Sequence, residues 1–133
     1  MDIKSKINSY KDDIINDIAE LVKIRSVKGE ACEGMPFGKE CAHALNKALE
    51  IAGRMGFETV NLDNYAGYAQ MGEGEDIIGI LCHVDVVPEG GGWTHEPYCL
   101  SEENGVLYAR GVVDDKGPLI AALYAMKLSL IHI

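Results

Sequence analysis

Two stretches in the first half of the chain repeat their apolar residues with the period of an α-helix. From Ile3 to Ile24, isoleucine, leucine and valine recur at intervals of three and four residues, and lysines and aspartates fill the other face. The same spacing runs from Gly38 to Met55, and Gly56 follows where helices commonly end in a left-handed glycine. The pattern predicts two amphipathic helices joined by a loop over residues 26–37, which holds glycine and proline.

Strand-like patterns occupy the middle of the chain and come in pairs. Residues 57–62 and 65–71 flank Asp63-Asn64, and residues 98–108 enclose Asn104-Gly105. Asn-Gly between strand-like flanks is a strong signal for a two-residue hairpin turn. The sequence therefore predicts two hairpins.

Between the hairpins, residues 77–87 form an almost wholly apolar run. A run of this length predicts a strand that is buried on both faces, as in an α/β sheet. Pro118 then stands where prolines favour the first turn of a helix, and the apolar residues after it predict a last helix. The order of elements predicts an α/β fold with helices packed on a mixed sheet.

Composition and charge narrow the class of protein. The 133 residues are 47% hydrophobic and 25% charged, which is typical of a soluble globular domain. The net charge of −9 argues against a nucleic-acid partner, which requires a basic face. The polar N-terminus lacks a signal-peptide pattern, and no apolar run reaches the ~20 residues of a membrane span. We expect a cytoplasmic protein with no membrane or nucleic-acid partner; the sequence does not indicate an oligomeric state.

The four cysteines do not form a C-x-x-C pair, which weakens a zinc-finger interpretation. Without a signal peptide, a disulfide framework is not expected either. We predict reduced and mostly buried thiols. Cys82 is expected to pack in the core and to point away from its neighbour His83, because side chains alternate along a strand.

Candidate chemistry lies at the end of the apolar run and before the last helix. His83 and Asp85 alternate on one side of the predicted strand, so the carboxylate can hold one ring N–H while the other nitrogen binds a metal. Asp114 and Asp115 directly precede a helix, whose partial positive charge favours ionised carboxylates. Taken singly, the histidine can be an ordinary polar group and the aspartates a helix cap.

Together these stretches resemble a known family. LCHVDVVPEGGGWTHEPY followed by LYARGVVDDKGPLIAALYAMK resembles the M20 metallopeptidases, and more closely the PepV-type dipeptidases, also called the Sapep family. The resemblance extends over nearly the whole chain up to Lys127. It implies the α/β catalytic domain of a hydrolase that binds two divalent metal ions, zinc or manganese, with a lid domain inserted over the cleft.

The resemblance also implies a role for each motif residue. His83 is a metal ligand, Asp85 orients that histidine as an active-site residue, and Asp114 bridges the two metals. Asp115 would at most contact these ligands, and not the metals themselves. The metals would activate a shared water that attacks the peptide carbonyl of a dipeptide.

Other residues that the family needs lie outside this sequence. Its general-base glutamate, the glutamate beside it and two later ligands have no counterpart here. Glu102-Glu103 stands upstream of Asp114 at a hairpin and is interpreted as a solvated turn. His43 and His95 are expected at the surface. We therefore predict a truncated and inactive catalytic domain.

Two alternatives remain open from the sequence. A deacylase of N-acyl amino acids, or a related amidohydrolase, would share both motifs. Alternatively, the 133 residues taken alone form a non-catalytic α/β module that binds a metal or a partner.

The last six residues, LSLIHI, match the translation of a transposon end used in sequencing-library adapters. We expect residues 1–127 to be the N-terminal part of the metallopeptidase domain and residues 128–133 to be a non-native tail. The lid and the remainder of the catalytic domain would then be absent.

Overall fold

A computed structural model describes residues 2–132, with side chains described as far as residue 130. It contains four helices and four short strands. The helices are α1 (Ile3–Ser9), α2 (Lys11–Val22), α3 (Lys39–Arg54) and α4 (Lys116–His132). The strands are β1 (Glu58–Leu62), β2 (Ala66–Gln70), β3 (Ser101–Glu103) and β4 (Val106–Tyr108).

The single N-terminal helix predicted from the sequence is instead two helices that meet at Tyr10. The Tyr10 backbone has φ −95° and ψ 1°, which interrupts the helical geometry. Just before it, the Ser9 hydroxyl donates to the carbonyl of Lys6 at 2.7 Å. Asn8 and Ser9 are weak helix formers whose side chains compete for the backbone, which accounts for the break.

The predictions for α3 and for both hairpins are confirmed. Gly38 precedes α3, and Gly56 follows it with φ 92°, a conformation that suits glycine. β1 pairs antiparallel with β2 around Asp63-Asn64, and β3 pairs antiparallel with β4 around Asn104-Gly105. All four turn residues have positive φ, as a two-residue hairpin turn requires.

The predicted buried strand over residues 77–87 is wrong. Among the described residues, the sheets are two separate antiparallel pairs rather than one mixed sheet, and 77–87 belongs to neither. Ile78 and Leu81 are 95% and 99% exposed. Apolar composition alone does not make a strand, because the backbone of 77–87 needs neighbouring strands with which to pair.

The core lies between α2, α3 and α4. Leu21, Ile51 and Ile120 come from these three helices, and each is fully buried. Phe57, at the start of the first hairpin, joins the same cluster. This packing fixes the positions of the C-terminal end of α2 and the N-terminal end of α4, both of which lie near the candidate site.

Helix α4 continues through the six-residue tail as far as His132. The non-native origin of residues 128–133 stays a prediction, and the side chains of 131–133 lie outside the described residues. None of the helices described is both long and apolar enough to cross a membrane.

Candidate metal centre

The segment that carries His83 alternates its exposure like a strand. Cys82, Val84 and Val86 face the protein, whereas His83 and Asp85 face outward. Val86 is 6% exposed, and Val84 packs against the core. The prediction that His83 and Asp85 share one side, with Cys82 on the other, is therefore confirmed by the exposure pattern.

The two sequence motifs meet at the imidazole of His83. Nε2 lies 2.9 Å from Oδ1 of Asp114, although the residues are 31 positions apart. Nδ1 lies 3.2 Å from Oδ1 of Asp85 and 3.1 Å from the Asp85 carbonyl oxygen. One ring nitrogen thus faces the carboxylate predicted as a bridge, and the other faces the carboxylate predicted to orient it.

Asp115 contacts the same segment through its backbone. The His83 N–H donates to Oδ2 of Asp115 at 3.1 Å. Asp114 therefore contacts the ring of His83, and Asp115 contacts the main chain of His83. The role of Asp115 behind the metal ligands stays a prediction.

Burial and neighbouring carboxylates act in opposite directions on His83. Burial, the largest single effect, disfavours the charged ring. The hydrogen bond to Asp114 and the contacts with Asp85 together outweigh it, so the pKa of His83 is raised. The two carboxylates thus favour the protonated ring of His83.

The donor set suits part of a divalent metal site. An imidazole nitrogen and carboxylate oxygens are ligands that zinc and manganese both accept. Across the residues that the structure describes, however, no cluster of three or more His, Cys, Asp or Glu side chains could hold a metal ion. His83 and Asp114 would supply a portion of the ligands, and a closed site needs more.

The remaining candidate residues lie away from this site. His43 is exposed beside Glu40, and Glu102 and Glu103 are exposed on β3, as expected. His95 is more buried than expected, because its ring stacks on Tyr108 with centroids 4.3 Å apart.

The prediction that the cysteine thiols are mostly buried is wrong. All four described cysteines are free thiols. Cys41 is buried and Cys82 is half-buried, whereas Cys32 and Cys99 are exposed, so the thiols are not mostly buried.

The sequence patterns did not indicate two residues that contact the supports of this site, Ser26 and Lys116. Both are fully buried, and Ser26 donates to the carbonyl of Val84. Burial lowers the pKa of Lys116 to about 8, so its ammonium stays charged at neutral pH. The signal available for Lys116 was its place between Asp115 and Gly117 in the second motif; nothing local marks Ser26.

A largely apolar cavity of about 520 Å³ adjoins the site. It lies between α3, β2 and α4 on one side and residues 80–85 on the other. The segment that carries His83 therefore borders open space as well as the core.

The sequence comparisons agree with the two motifs. Residues 79–130 match the profile of Peptidase family M20/M25/M40. The chain is 51% identical over 120 residues to "Putative dipeptidase YtjP" of Bacillus subtilis (strain 168), which covers 89% of this chain and 26% of that protein. It is 46% identical over 127 residues to a protein of Staphylococcus aureus (strain USA300) that is also named a putative dipeptidase, covering 94% of this chain and 27% of that protein.

A solved structure shares the fold. Human carnosine dipeptidase 1 superimposes with a TM-score of 0.71 at 26% identity, over 93% of this chain and 29% of that one. The fold of this chain is thus similar to that of part of a dipeptidase. Residues 79–130 thus resemble the M20 family, and the chain spans about a quarter of the length of the curated relatives it matches.

Proposed function

We propose that this chain is part of a metal-dependent dipeptidase. The observation that carries the proposal is the convergence of both motifs on His83, with Asp114 at one ring nitrogen and Asp85 at the other. The relatives named as dipeptidases support a dipeptide as substrate over an N-acyl amino acid.

Each residue has a defined part in the proposed site. Asp85, 3.2 Å from Nδ1 of His83, would hold a proton on that nitrogen, so that Nε2, on the side of Asp114, would be the nitrogen that binds a metal. His83 and Asp114 would hold two divalent ions, zinc or manganese, with Asp114 shared between them. Bound there, the metals would supply Lewis-acid polarisation and a water of lowered pKa. The proton acceptor for that water would come from chain beyond these residues.

The test requires the gene to be sequenced past Lys127 and the longer protein to be assayed. We expect an adjacent glutamate pair within the following sequence, and hydrolysis of dipeptides in preference to N-acetyl amino acids. His83→Ala and Asp114→Ala should each lower dipeptide turnover by at least ~100-fold, because each removes a metal ligand. Preference for N-acetyl amino acids would instead favour the deacylase alternative.

The 133-residue chain alone should not hydrolyse dipeptides. It holds too few ligands to close a metal site and lacks a general base in the predicted position. The measurement is dipeptide turnover by the purified chain after addition of Zn²⁺ or Mn²⁺. Turnover that survives in the wild-type chain but disappears in His83→Ala would contradict this expectation.

A further inference from the structure

Two fully buried polar side chains, Ser26 and Lys116, contact the supports of both halves of the candidate metal site. One half is the segment with His83 and Asp85, and the other is the turn with Asp114 and Asp115. Each half is hydrogen-bonded to residues 21–26, which comprise the last two residues of α2 and the four residues after it. Buried polar groups need partners, so these bonds are costly to remove.

Lys116 fixes the aspartate turn. It is the first residue of α4, directly after Asp115. Its ammonium donates to the carbonyl of Leu21 at 3.0 Å and to that of Ile24 at 2.7 Å. Carbonyls at the C-terminal end of a helix carry partial negative charge, which favours a cation there. The start of α4 is therefore held against the end of α2.

The aliphatic part of Lys116 also has a fixed place. A Cβ built on Gly111 would lie 3.1 Å from Cδ of Lys116 and 3.1 Å from Cγ1 of Val86. Gly111 has φ 88°, and its carbonyl accepts the Lys116 N–H at 2.9 Å. The turn from Gly111 to Lys116 is thus closed on itself and packed against the histidine segment.

Ser26 fixes the histidine segment. Its hydroxyl donates to the carbonyl of Val84 at 2.6 Å, and its own carbonyl accepts the N–H of Val86 at 3.0 Å. These two bonds lie on either side of Asp85 in sequence. Because they hold the inward residues, they determine that His83 and Asp85 face outward toward Asp114.

We propose that Ser26 and Lys116 are positioning residues that align the two halves of the metal site on a common base, residues 21–26. The inference rests on the proposed function, because it assigns the aligned groups to a metal. Neither residue contacts the reacting atoms. Catalytic groups need placement within about 0.5 Å of their working geometry. Removal of the side-chain hydrogen bonds of Ser26 or of Lys116 should therefore separate the two halves of the site while the domain is still folded.

The experiment is amide hydrogen exchange by NMR on the 133-residue chain, with Leu81→Glu in the background of every sample so that association through the exposed apolar segment does not protect the reporters. The variants are Ser26→Ala and Lys116→Met, which remove the donors with little change of shape. The site reporters are the amides of His83 and Val86, and the core reporter is Ile51 in α3. Ser101→Ala is the matched control, because its hydroxyl donates only within its own neighbourhood, to the Cys99 carbonyl at 3.4 Å.

In Ser26→Ala, exchange at His83 and Val86 should speed up by about tenfold beyond any change at Ile51, through local opening. Lys116→Met should also speed up exchange at His83, because the amide of His83 donates to the side chain of Asp115, the residue next to Lys116. Ser101→Ala should leave the ratio of site to core exchange unchanged. Equal changes at site and core in Ser26→Ala, or unprotected site amides in the chain that carries Leu81→Glu alone, would overturn the proposal. Should Lys116→Met fail to fold, the serine variant still decides.

Titration with Co²⁺ alone, followed by the absorption of the bound ion, separates this inference from the proposed function. The wild-type chain should bind Co²⁺ weakly and His83→Ala should not. Ser26→Ala should weaken binding by about tenfold while Ser101→Ala stays within about twofold of wild type. A wild-type chain that binds no Co²⁺ counts against the metal centre, whereas unchanged Co²⁺ affinity in Ser26→Ala counts against positioning.

Discussion

At the scale of single residues, Glu89 ties the loop after the histidine segment to the rest of the domain. Its carboxylate accepts from Nε of Arg25 at 3.0 Å and from the hydroxyl of Tyr98 at 2.7 Å. Its carbonyl accepts from Trp93 and Arg110. The Glu89 backbone N–H, Tyr98 and Arg25 together lower the pKa of Glu89 to about 2. This loop is therefore held by an ionised carboxylate.

Glu89→Gln should destabilise the chain at neutral pH, and the deficit should shrink in acid. The folded-state pKa is about 2 and the ordinary value is 4.5, so the contribution is complete above 4.5 and is lost as the pH falls toward 2. The measurement is urea unfolding at several pH values between 2 and 8. Glu73→Gln, at an exposed glutamate of the loop after β2, is the control and should show no such dependence. A deficit that stays constant with pH would contradict the assignment.

At the scale of elements, the turn that begins α4 leaves no room for a side chain at Gly117. A Cβ built there would overlap the carbonyl oxygen of Val112. That carbonyl belongs to the same turn that carries Asp114. By contrast, a Cβ at Gly53 in α3 would meet only open space. The two helical glycines therefore have opposite consequences when they are replaced.

Gly117→Ala should destabilise the domain by about 1–3 kcal/mol, because the overlap forces the turn to move. Gly53→Ala should stabilise it by up to ~1 kcal/mol, since alanine has the higher helix propensity. Thermal or urea unfolding of both variants gives the comparison. Similar effects of the same sign at the two positions would show that the turn is looser than the structure indicates.

At the scale of the whole molecule, the chain exposes an apolar stretch beside an apolar cavity. Ile77, Ile78 and Leu81 are each at least 89% exposed, and the cavity next to residues 80–85 measures about 520 Å³. An exposed apolar segment that belongs to no sheet can pair with another chain. The net charge of −9 opposes association, but it does not cover this surface.

We expect the isolated chain to self-associate through residues 77–87. Leu81→Glu should shift it toward monomer, because it places a charge at the most exposed large apolar side chain of that segment. Ala31→Glu adds the same charge at another exposed position and serves as the control. Light scattering coupled to size-exclusion chromatography measures the mass. A monomeric wild-type chain at about 100 µM, which lies within the µM–mM range in which exposed apolar surfaces associate, would contradict the expectation.

The sequence by itself determined the elements whose cause is local. The 3.6-residue period predicted α3, the turn residues predicted both hairpins, and strand alternation predicted that His83 and Asp85 share a side. Local chemistry suffices there, because each signal lies within a few residues of the structure it specifies. The two motifs together also indicated the family, which the comparisons confirm.

Only the tertiary structure decided how distant segments meet. The contact between His83 and Asp114 spans 31 residues, that between Ser26 and Val84 spans 58, and that between Lys116 and Leu21 spans 95. No periodicity encodes such pairs, because they follow from the packing of α2 against α4. The same reason explains the error at residues 77–87: apolar composition favours burial, but only neighbouring chain can provide it.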